Sequence, residues 1–378
     1  MKVVLIGSMA SSMIIFRADL IKMLSKQGHD IYAFATDYDD KSRSEIIKLG
    51  GKPVCYTFSR SGLNPFGDLL NTFKLSQQLK KIQPDVTFSF FSKPSIFGSL
   101  ASMIAGVKNI HGMLEGLGYV FTEQPNGVRL KIKVLKKIQI FLYKLVFPHL
   151  KTLILLNEDD RRDLVIKYNI KIKKCHVLGG IGLNLYDYPK APLPTDGVSF
   201  IFVARLLAEK GVNEYISAAK IVKQKYPEIK FYMLGSIDKE NPGSITEAEL
   251  SILIDSNIII YPGNVSNVAE WVSKSSVFVL PSYYREGVPR STQEAMAIGR
   301  AILTTDSPGC RDTVVHGING YLVPIWSPMK LADKMIELIN NPEKVANMGE
   351  ESYKMACDKF DATKNNRKLL KMLDLEME

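Results

Sequence analysis

Long apolar runs are missing from this sequence. No stretch of about 20 uncharged apolar residues occurs, so no membrane-spanning helix is expected. The opening Met1-Lys2-Val3-Val4-Leu5-Ile6-Gly7 is too short an apolar run for a signal peptide and reads as a buried first strand. Cysteine is scarce: Cys55, Cys175, Cys310 and Cys357 are scattered, with no CxxC pair. This argues against a zinc site or a disulfide framework and points to a reducing cytoplasm. No G-x-G-x-x-G follows the first strand, where Gly7-Ser-Met-Ala-Ser-Ser-Met stands instead, so a dehydrogenase reading loses its main support. A Walker A sequence is also absent. Acidic residues are missing locally, with no Asp or Glu between Glu123 and Glu158.

The 378 residues are 46% hydrophobic, enough to bury sizeable cores in two or three domains. Lys and Arg number 49 against 39 Asp and Glu, a net charge of +10. That excess suits nucleic acid, an anionic membrane surface or a phosphorylated substrate. No nucleic-acid partner is expected, because no recognition motif and no interleaving of aromatic and basic residues occurs.

Short apolar runs alternate with amphipathic stretches. Strands are expected at Val3-Ile6, Asp30-Ala35, Lys52-Tyr56, Pro84-Phe90, Val107-Met113 and Thr152-Leu156. Helices are expected at Phe16-Gln27, Ser42-Leu49, Asp68-Lys81 and Ser95-Ala105. The segment from Tyr188 to Gly197 carries three prolines and a turn signal and reads as a linker. The alternation then restarts, with strands at Ser199-Val203, Lys230-Leu234, Ile258-Tyr261, Val277-Leu280 and Ala301-Thr304. Helices fall at Val212-Lys225, Val268-Lys274 and Ser291-Ile298. The fold class is α/β: two doubly wound, Rossmann-like halves, whose ligands sit at the carboxyl ends of the strands. The expected domains are 1–188 and 197–352, facing an interdomain cleft, with a last helix at 353–373 crossing back onto the first.

Chemistry concentrates in two segments. Val277-Phe-Val-Leu-Pro-Ser282, then Arg285-Glu286-Gly287-Val288-Pro289, then Glu294 describe a buried strand, a glycine-containing loop and a helix start. This arrangement aims backbone N–H groups and a helix N-terminus at a phosphate. By spacing alone, two glutamates eight apart are as readily a solvated surface. The second segment, Phe202-Val-Ala-Arg205-Leu-Leu-Ala-Glu-Lys210-Gly211, follows the first strand of the second half. It carries a bidentate and a point-charge phosphate binder, or else an ordinary basic loop.

Together these segments resemble glycosyltransferase family 4, the retaining GT-B enzymes. Glu286-x7-Glu294 matches that family's E-x7-E motif, and Arg205-x4-Lys210 its diphosphate-binding pair. Gly263-Asn-Val265-Ser-Asn-Val268, Asp306-Ser-Pro-Gly309, Gly317-Ile-Asn-Gly320 and Leu322-Val-Pro324 are further landmarks, whereas Ser275-Ser276 replaces the usual Ala-Asp. The resemblance implies that Arg205 and Lys210 stabilise the departing nucleotide diphosphate. The N–H groups of Gly287 and Val288, ahead of Pro289, bind its distal phosphate. Glu286 holds donor-sugar hydroxyls, Glu294 the ribose, and Gly7, Gly235 and Val265 make further donor contacts. No metal or other cofactor is required, and Asp37-Tyr-Asp39 is read as a solvated loop. Attack is on the front face, the acceptor being deprotonated by the leaving phosphate.

On the acceptor side, His111 and Glu115 in Asn109-Ile-His111-Gly-Met-Leu-Glu115-Gly-Leu-Gly118 are both catalytic candidates, Glu115 the better placed. Arg17 and Lys93 lie beyond strand ends and are candidates for acceptor phosphate. From Gly127 to Phe147 runs a basic, apolar stretch containing Arg129, Lys131, Lys133, Lys136 and Lys137. It reads as an amphipathic helix on an anionic membrane surface, the alternative being a packed helix with one solvated basic face. Phe58-Ser-Arg60-Ser-Gly-Leu-Asn64-Pro65 and Glu115-Gly-Leu-Gly118 resemble PglA-type transferases. That resemblance implies a UDP-sugar donor, UDP-N-acetylgalactosamine by preference, and a polyprenyl-diphosphate-linked saccharide acceptor. It also implies O-antigen, capsule or glycan assembly at the cytoplasmic face of the bacterial inner membrane. The competing readings are a UDP-sugar epimerase of the same fold and a non-catalytic membrane-bound assembly subunit.

Overall fold

A computed structural model describes residues 1–58, 65–125, 127–239, 241 and 243–376. The sequence signature at 58–65 therefore lies largely outside the described residues. The chain divides into two compact units: residues 1–120, 129–181 and 362–378, and residues 121–128 and 182–361.

The first unit is built on a seven-stranded parallel sheet of order β3-β2-β1-β4-β5-β6-β7. In chain order its elements are β1 (Lys2–Ile6), α1 (Ala10–Lys26), β2 (Asp30–Ala35), α2 (Asp40–Lys48), β3 (Gly51–Cys55), α3 (Pro65–Ile82) and β4 (Val86–Phe90). There follow α4 (Ser92–Ile104), β5 (Asn109–Leu114), α5 (Leu130–Val146), β6 (Thr152–Leu155), the short α6 (Glu158–Asp160) and β7 (Cys175–Val177). The central strands read as continuous apolar runs because both faces are covered: Val3 to Ile6 and Leu153 to Leu155 are fully buried. Right-handed crossovers from β1 to β3 put α1 and α2 on one face, and the return through β4 to β6 puts α3, α4 and α5 on the other. The sheet switches direction between β1 and β4.

The second unit has a six-stranded parallel sheet of order β10-β9-β8-β11-β12-β13. It comprises β8 (Phe200–Val203), α7 (Val212–Lys225), β9 (Phe231–Leu234), α8 (Glu247–Asp255), β10 (Ile260–Gly263), α9 (Val268–Ser273) and β11 (Val277–Leu280). It continues through α10 (Arg290–Ile298), β12 (Ala301–Thr305), β13 (Gly320–Val323), α11 (Pro328–Ile339) and α12 (Pro342–Lys359). The switch here lies between β8 and β11, which pair at Val277↔Phe200 and Phe278↔Ile201.

Three boundaries differ from the sequence reading. The first helix starts at Ala10, not Phe16. The segment that rejoins the first unit is shorter than 353–373: α12 stays in the second unit, and α13 (Ala362–Met372) packs on α1. The helix is interrupted between them at Phe360–Asp361, where Phe360 C=O accepts from Leu183 N–H at 2.9 Å. Finally, residues 121–128 belong to the second unit, where Thr122 Oγ accepts the Arg285 N–H at 3.1 Å. The edge strands β7, three residues long, and β13, four residues long, went unread.

Candidate active site

The switch point of the second sheet gathers the two basic residues and the first glutamate. The loop after β8 turns through Arg205 to Gly211, and the loop after β11 through Pro281 to Pro289. Because β8 and β11 are neighbours, the loops touch. The Glu209 carbonyl accepts the N–H groups of Tyr283 and Tyr284, each at 3.0 Å, and the Ser282 hydroxyl at 3.1 Å. Gly211 permits this approach, and Gly309, after β12, brings a third loop against the same backbone. A Cβ on Gly211, at φ +81°, would lie 2.2 Å from the Pro281 carbonyl oxygen. One on Gly309, at φ +80°, would lie 2.5 Å from the Gly287 oxygen and 2.7 Å from that of Glu286.

Lys210 Nζ meets Glu286 Oε1 at 2.5 Å, and Ser282 Oγ donates to the same oxygen at 3.1 Å. Lys210 also lies over the Tyr284 ring, 4.8 Å from its centroid. Glu286 is buried. A carboxylate and an ammonium held together out of water form a site that needs little reorganisation to receive an opposite charge on either side. Arg205, half-exposed on the same loop, reaches Asp238 at 3.7 Å. Gly287, Val288 and Pro289 are buried and lead into α10, so the helix N-terminus faces the same loop.

Glu294 sits one turn into α10. Its Oε1 accepts from Tyr188 OH at 2.9 Å and from Arg290 Nε at 3.0 Å. Burial pushes its carboxyl above the usual range, while Arg290 and Tyr188 pull it back. The same burial lifts the Tyr188 phenol to about 12. Gly235, at φ +139°, brings the end of β9 against β8, where a Cβ would fall 1.8 Å from the Ala204 oxygen, and its carbonyl accepts from Tyr261 OH at 2.7 Å. Val265 is half-buried in the loop after β10.

The first unit places its candidates differently. At its own switch point, Ser8, Met9, Thr36, Tyr56, Phe58, Lys93, Pro94, Phe97 and Gly98 line a shallow, open recess. Gly7 belongs to this unit: its carbonyl accepts from Tyr56 OH at 2.6 Å. Lys93, half-buried, pairs with buried Asp68 of α3 at 2.9 Å and lies 5.3 Å from the Phe58 ring centroid. Phe91, between β4 and α4, holds φ +71° and ψ 161°, a region that side-chain-bearing residues rarely occupy. Such strain at a switch point marks a constrained site.

Two acceptor-side expectations are corrected. Arg17 was read as a phosphate ligand, but it is 1% exposed. Its guanidinium pairs with Glu115, donates to the Phe16 carbonyl at 2.8 Å and lies 4.3 Å from the Phe90 ring centroid. Placed on the inner side of α1, it holds Glu115 rather than meeting ligand. His111 was read as a catalytic candidate at the end of its strand. It lies within β5, opposite Phe88 and Thr152, and is fully buried, with neither ring nitrogen hydrogen-bonded. Burial, with Lys151 and Lys174 nearby, drives its pKa down to about 4. The residue that does lie at the carboxyl end of β5 is Glu115.

The basic stretch forms a single helix, α5, whose inner side carries Ile140, Tyr143 and Val146. Lys131, Lys133 and Lys137 are exposed, as is Arg129 at its start, whereas Lys136 is half-buried on the inner side and leaves that row. No helix among the described residues is long and apolar enough to cross a membrane.

Sequence reading missed Ser282, Asp238, Arg290 and Tyr188 as partners of the site. Arg290 was legible, since i and i+4 on a helix are neighbours. Tyr188 is 106 residues from Glu294 and left no sequence signal.

The chain matches two domain families that together take in most of its length. Residues 17–179 match Glycosyltransferase Family 4, and residues 187–355 match Glycosyl transferases group 1. Among curated relatives, N,N'-diacetylbacillosaminyl-diphospho-undecaprenol alpha-1,3-N-acetylgalactosaminyltransferase of Campylobacter jejuni is 28% identical, over 99% of this chain and 98% of the relative. The capsular polysaccharide biosynthesis glycosyltransferase CapM of Staphylococcus aureus is 24% identical, over 90% and 89%. Among solved structures, Anabaena HepE in complex with UDP and glucose aligns over 99% of both chains at 15% identity with a TM-score of 0.78. The chain is a glycosyltransferase of the GT-B class, pairing a family 4 domain with a group 1 domain and similar to PglA-type transferases.

Proposed function

We propose that the chain transfers a sugar, N-acetylgalactosamine in alpha linkage, from a UDP-sugar to a polyprenyl-diphosphate-linked saccharide. The setting would be bacterial surface polysaccharide or glycan assembly at the cytoplasmic face of the inner membrane. The observation that carries this reading is the Lys210–Glu286 pair beside Arg205 at the β8/β11 switch point. The whole-length likeness to a transferase whose name specifies a diphospho-undecaprenol acceptor supports the acceptor class.

In this reading a nucleotide diphosphate takes over Lys210, freeing Glu286 to accept from donor-sugar hydroxyls. Arg205, Lys210 and the N–H groups of Gly287 and Val288 stabilise the charge that grows as the sugar C1–O bond to the diphosphate breaks. The acceptor hydroxyl bonds to C1 on the same face and passes its proton to the departing phosphate oxygen, so configuration is retained. Glu294, already oriented by Tyr188 and Arg290, holds the ribose. Glu115, fixed by Arg17, and Lys93 serve the acceptor. Two cationic side chains and a helix N-terminus do the work of a metal, and α5 with its lysines lies on anionic lipid.

The test supplies detergent-dispersed polyprenyl-diphosphate saccharide and a panel of UDP-sugars in EDTA, following UDP release and product mass. A one-sugar gain from UDP-N-acetylgalactosamine, lost in Glu286→Ala and Lys210→Ala, is expected. Isomerised UDP-sugar without acceptor would replace the reading with epimerisation, and dependence on added divalent cation would refute the metal-free mechanism.

A further inference from the structure

The helix α3 carries large apolar residues on its outer side as well as its inner one. Its inner face buries Asp68, Thr72 and Ser76 beside Leu75 and Leu79, while Phe66 (88% exposed), Leu69, Leu70 and Phe73 stand in solvent. These four positions are spaced i, i+3, i+4 and i+7, so they form one stripe. Lys74, Lys80 and Lys81 extend the exposed face towards the helix end. Single exposed apolar residues are ordinary, but a contiguous row of large ones on the outer face of a helix calls for a partner.

The same pattern recurs on α5. Leu130, Val134, Ile138, Phe141 and Leu145 are exposed and share one side of the helix, with Lys133, Lys137 and Lys144 along one border and Lys131 on the other. Both helices cover the same face of the first sheet, on either side of α4, against which each packs. Both start at the carboxyl-end edge of that sheet, where the recess holding Lys93 opens.

We infer that α3 is a second membrane-contacting element, which seats Phe66, Leu69, Leu70 and Phe73 in the acyl boundary of the bilayer while the lysines of α5 and the end of α3 hold anionic headgroups. Charge complementarity selects the occupant. An apolar row edged by lysines, in a helical layer whose α5 lacks any carboxylate, matches an anionic lipid surface. The inference rests on the proposed membrane-linked acceptor and adds a division of labour: α5 supplies the salt-sensitive attraction and α3 the salt-resistant part.

The experiment measures binding of the full chain to phosphatidylcholine vesicles, with and without phosphatidylglycerol, at low salt and in 1 M NaCl. Phe66→Ser/Leu70→Ser/Phe73→Ser is expected to lose the salt-resistant fraction, with partitioning weakened about 10- to 100-fold, because transferred apolar area sets that term. Transfer to a short-chain, water-soluble acceptor should persist. Lys131→Gln/Lys133→Gln/Lys137→Gln should instead lose the phosphatidylglycerol dependence. In a conservative second variant, Phe66→Trp, bromine-labelled acyl chains should quench the new fluorescence. Unchanged high-salt binding of the α3 triple variant, with no quenching at position 66, overturns the inference and leaves the α5 reading intact. Loss of self-association in that variant with vesicle binding unaltered overturns it in favour of a second copy of the chain. Wild-type protein that binds neither vesicle overturns both readings.

Discussion

Gly309 offers the sharpest test of how the donor loop is held. It has φ +80° and packs under the carbonyls of Glu286 and Gly287, whereas Gly317 has φ +81° and nothing within 4 Å of an added Cβ. Alanine at either position pays the left-handed strain, roughly 1–2 kcal/mol. At about 2–4 °C per kcal/mol for a unit of this size, Gly317→Ala should lower Tm by several degrees and leave transfer nearly unchanged. Gly309→Ala pays the same strain and a collision besides, since 2.5 and 2.7 Å to backbone oxygens fall well inside ordinary contact. Neither oxygen belongs to a side chain that could swing away, so the 286–288 backbone must shift by most of an ångström. A displacement of that size in a positioning loop costs on the order of 100-fold in rate. Differential scanning calorimetry gives the strain, and kcat/KM for UDP-sugar transfer gives the displacement. If Gly309→Ala loses stability like Gly317→Ala but keeps wild-type kcat/KM, the close approach does not set the loop.

Other outcomes follow from the charges. Glu294 has its carboxyl raised by burial, so the stability it contributes is present below its ordinary pKa of 4.5 and is lost as pH rises through the raised value. In urea titrations the wild type should therefore fall behind Glu294→Gln as pH increases from 4 to 7, and an opposite slope would contradict the burial argument. Glu337 runs the other way. Lys334, Lys344 and Tyr321 hold it at about 2, so its contribution is present above 4.5 and lost as pH falls towards 2. Because this cluster is partly solvated, Glu337→Gln should cost only about 1 kcal/mol at pH 7, and the difference should vanish near pH 2. His111→Leu should retain transfer activity within a few-fold, as expected for a neutral core residue. A loss of 100-fold or more would restore His111 to the chemistry.

The two-sheet α/β class was legible because buried parallel strands read as short apolar runs and the crossovers read as amphipathic helices. Glu286, Glu294, Arg205 and Lys210 were legible as candidates through their match to the family's E-x7-E and Arg-x4-Lys spacings; their place beyond strand ends, where such sheets carry ligands, left a solvated loop as an equal reading. The row of lysines on α5 was legible because it lies within one helix and no carboxylate interrupts it.

What the tertiary structure decided is direction and partnership. Periodicity shows that a helix has two sides but not which one faces the sheet. Only packing revealed that α3 and α5 turn large apolar residues outward and that α3 turns Asp68, Thr72 and Ser76 inward. Likewise Arg17 and Lys93 were both read as lying beyond strand ends, yet Arg17, in the middle of α1, is sealed against Glu115 and Phe90 and Lys93 lines a recess. His111 shows the limit most plainly. A residue's place along a strand, amid the sheet or at its carboxyl end, depends on register with neighbours up to 41 positions away, as in His111↔Thr152. Local sequence sets propensity and period. Register, burial and the meeting of Lys210 with Glu286 are long-range properties, chosen by how the whole sheet closes over its core.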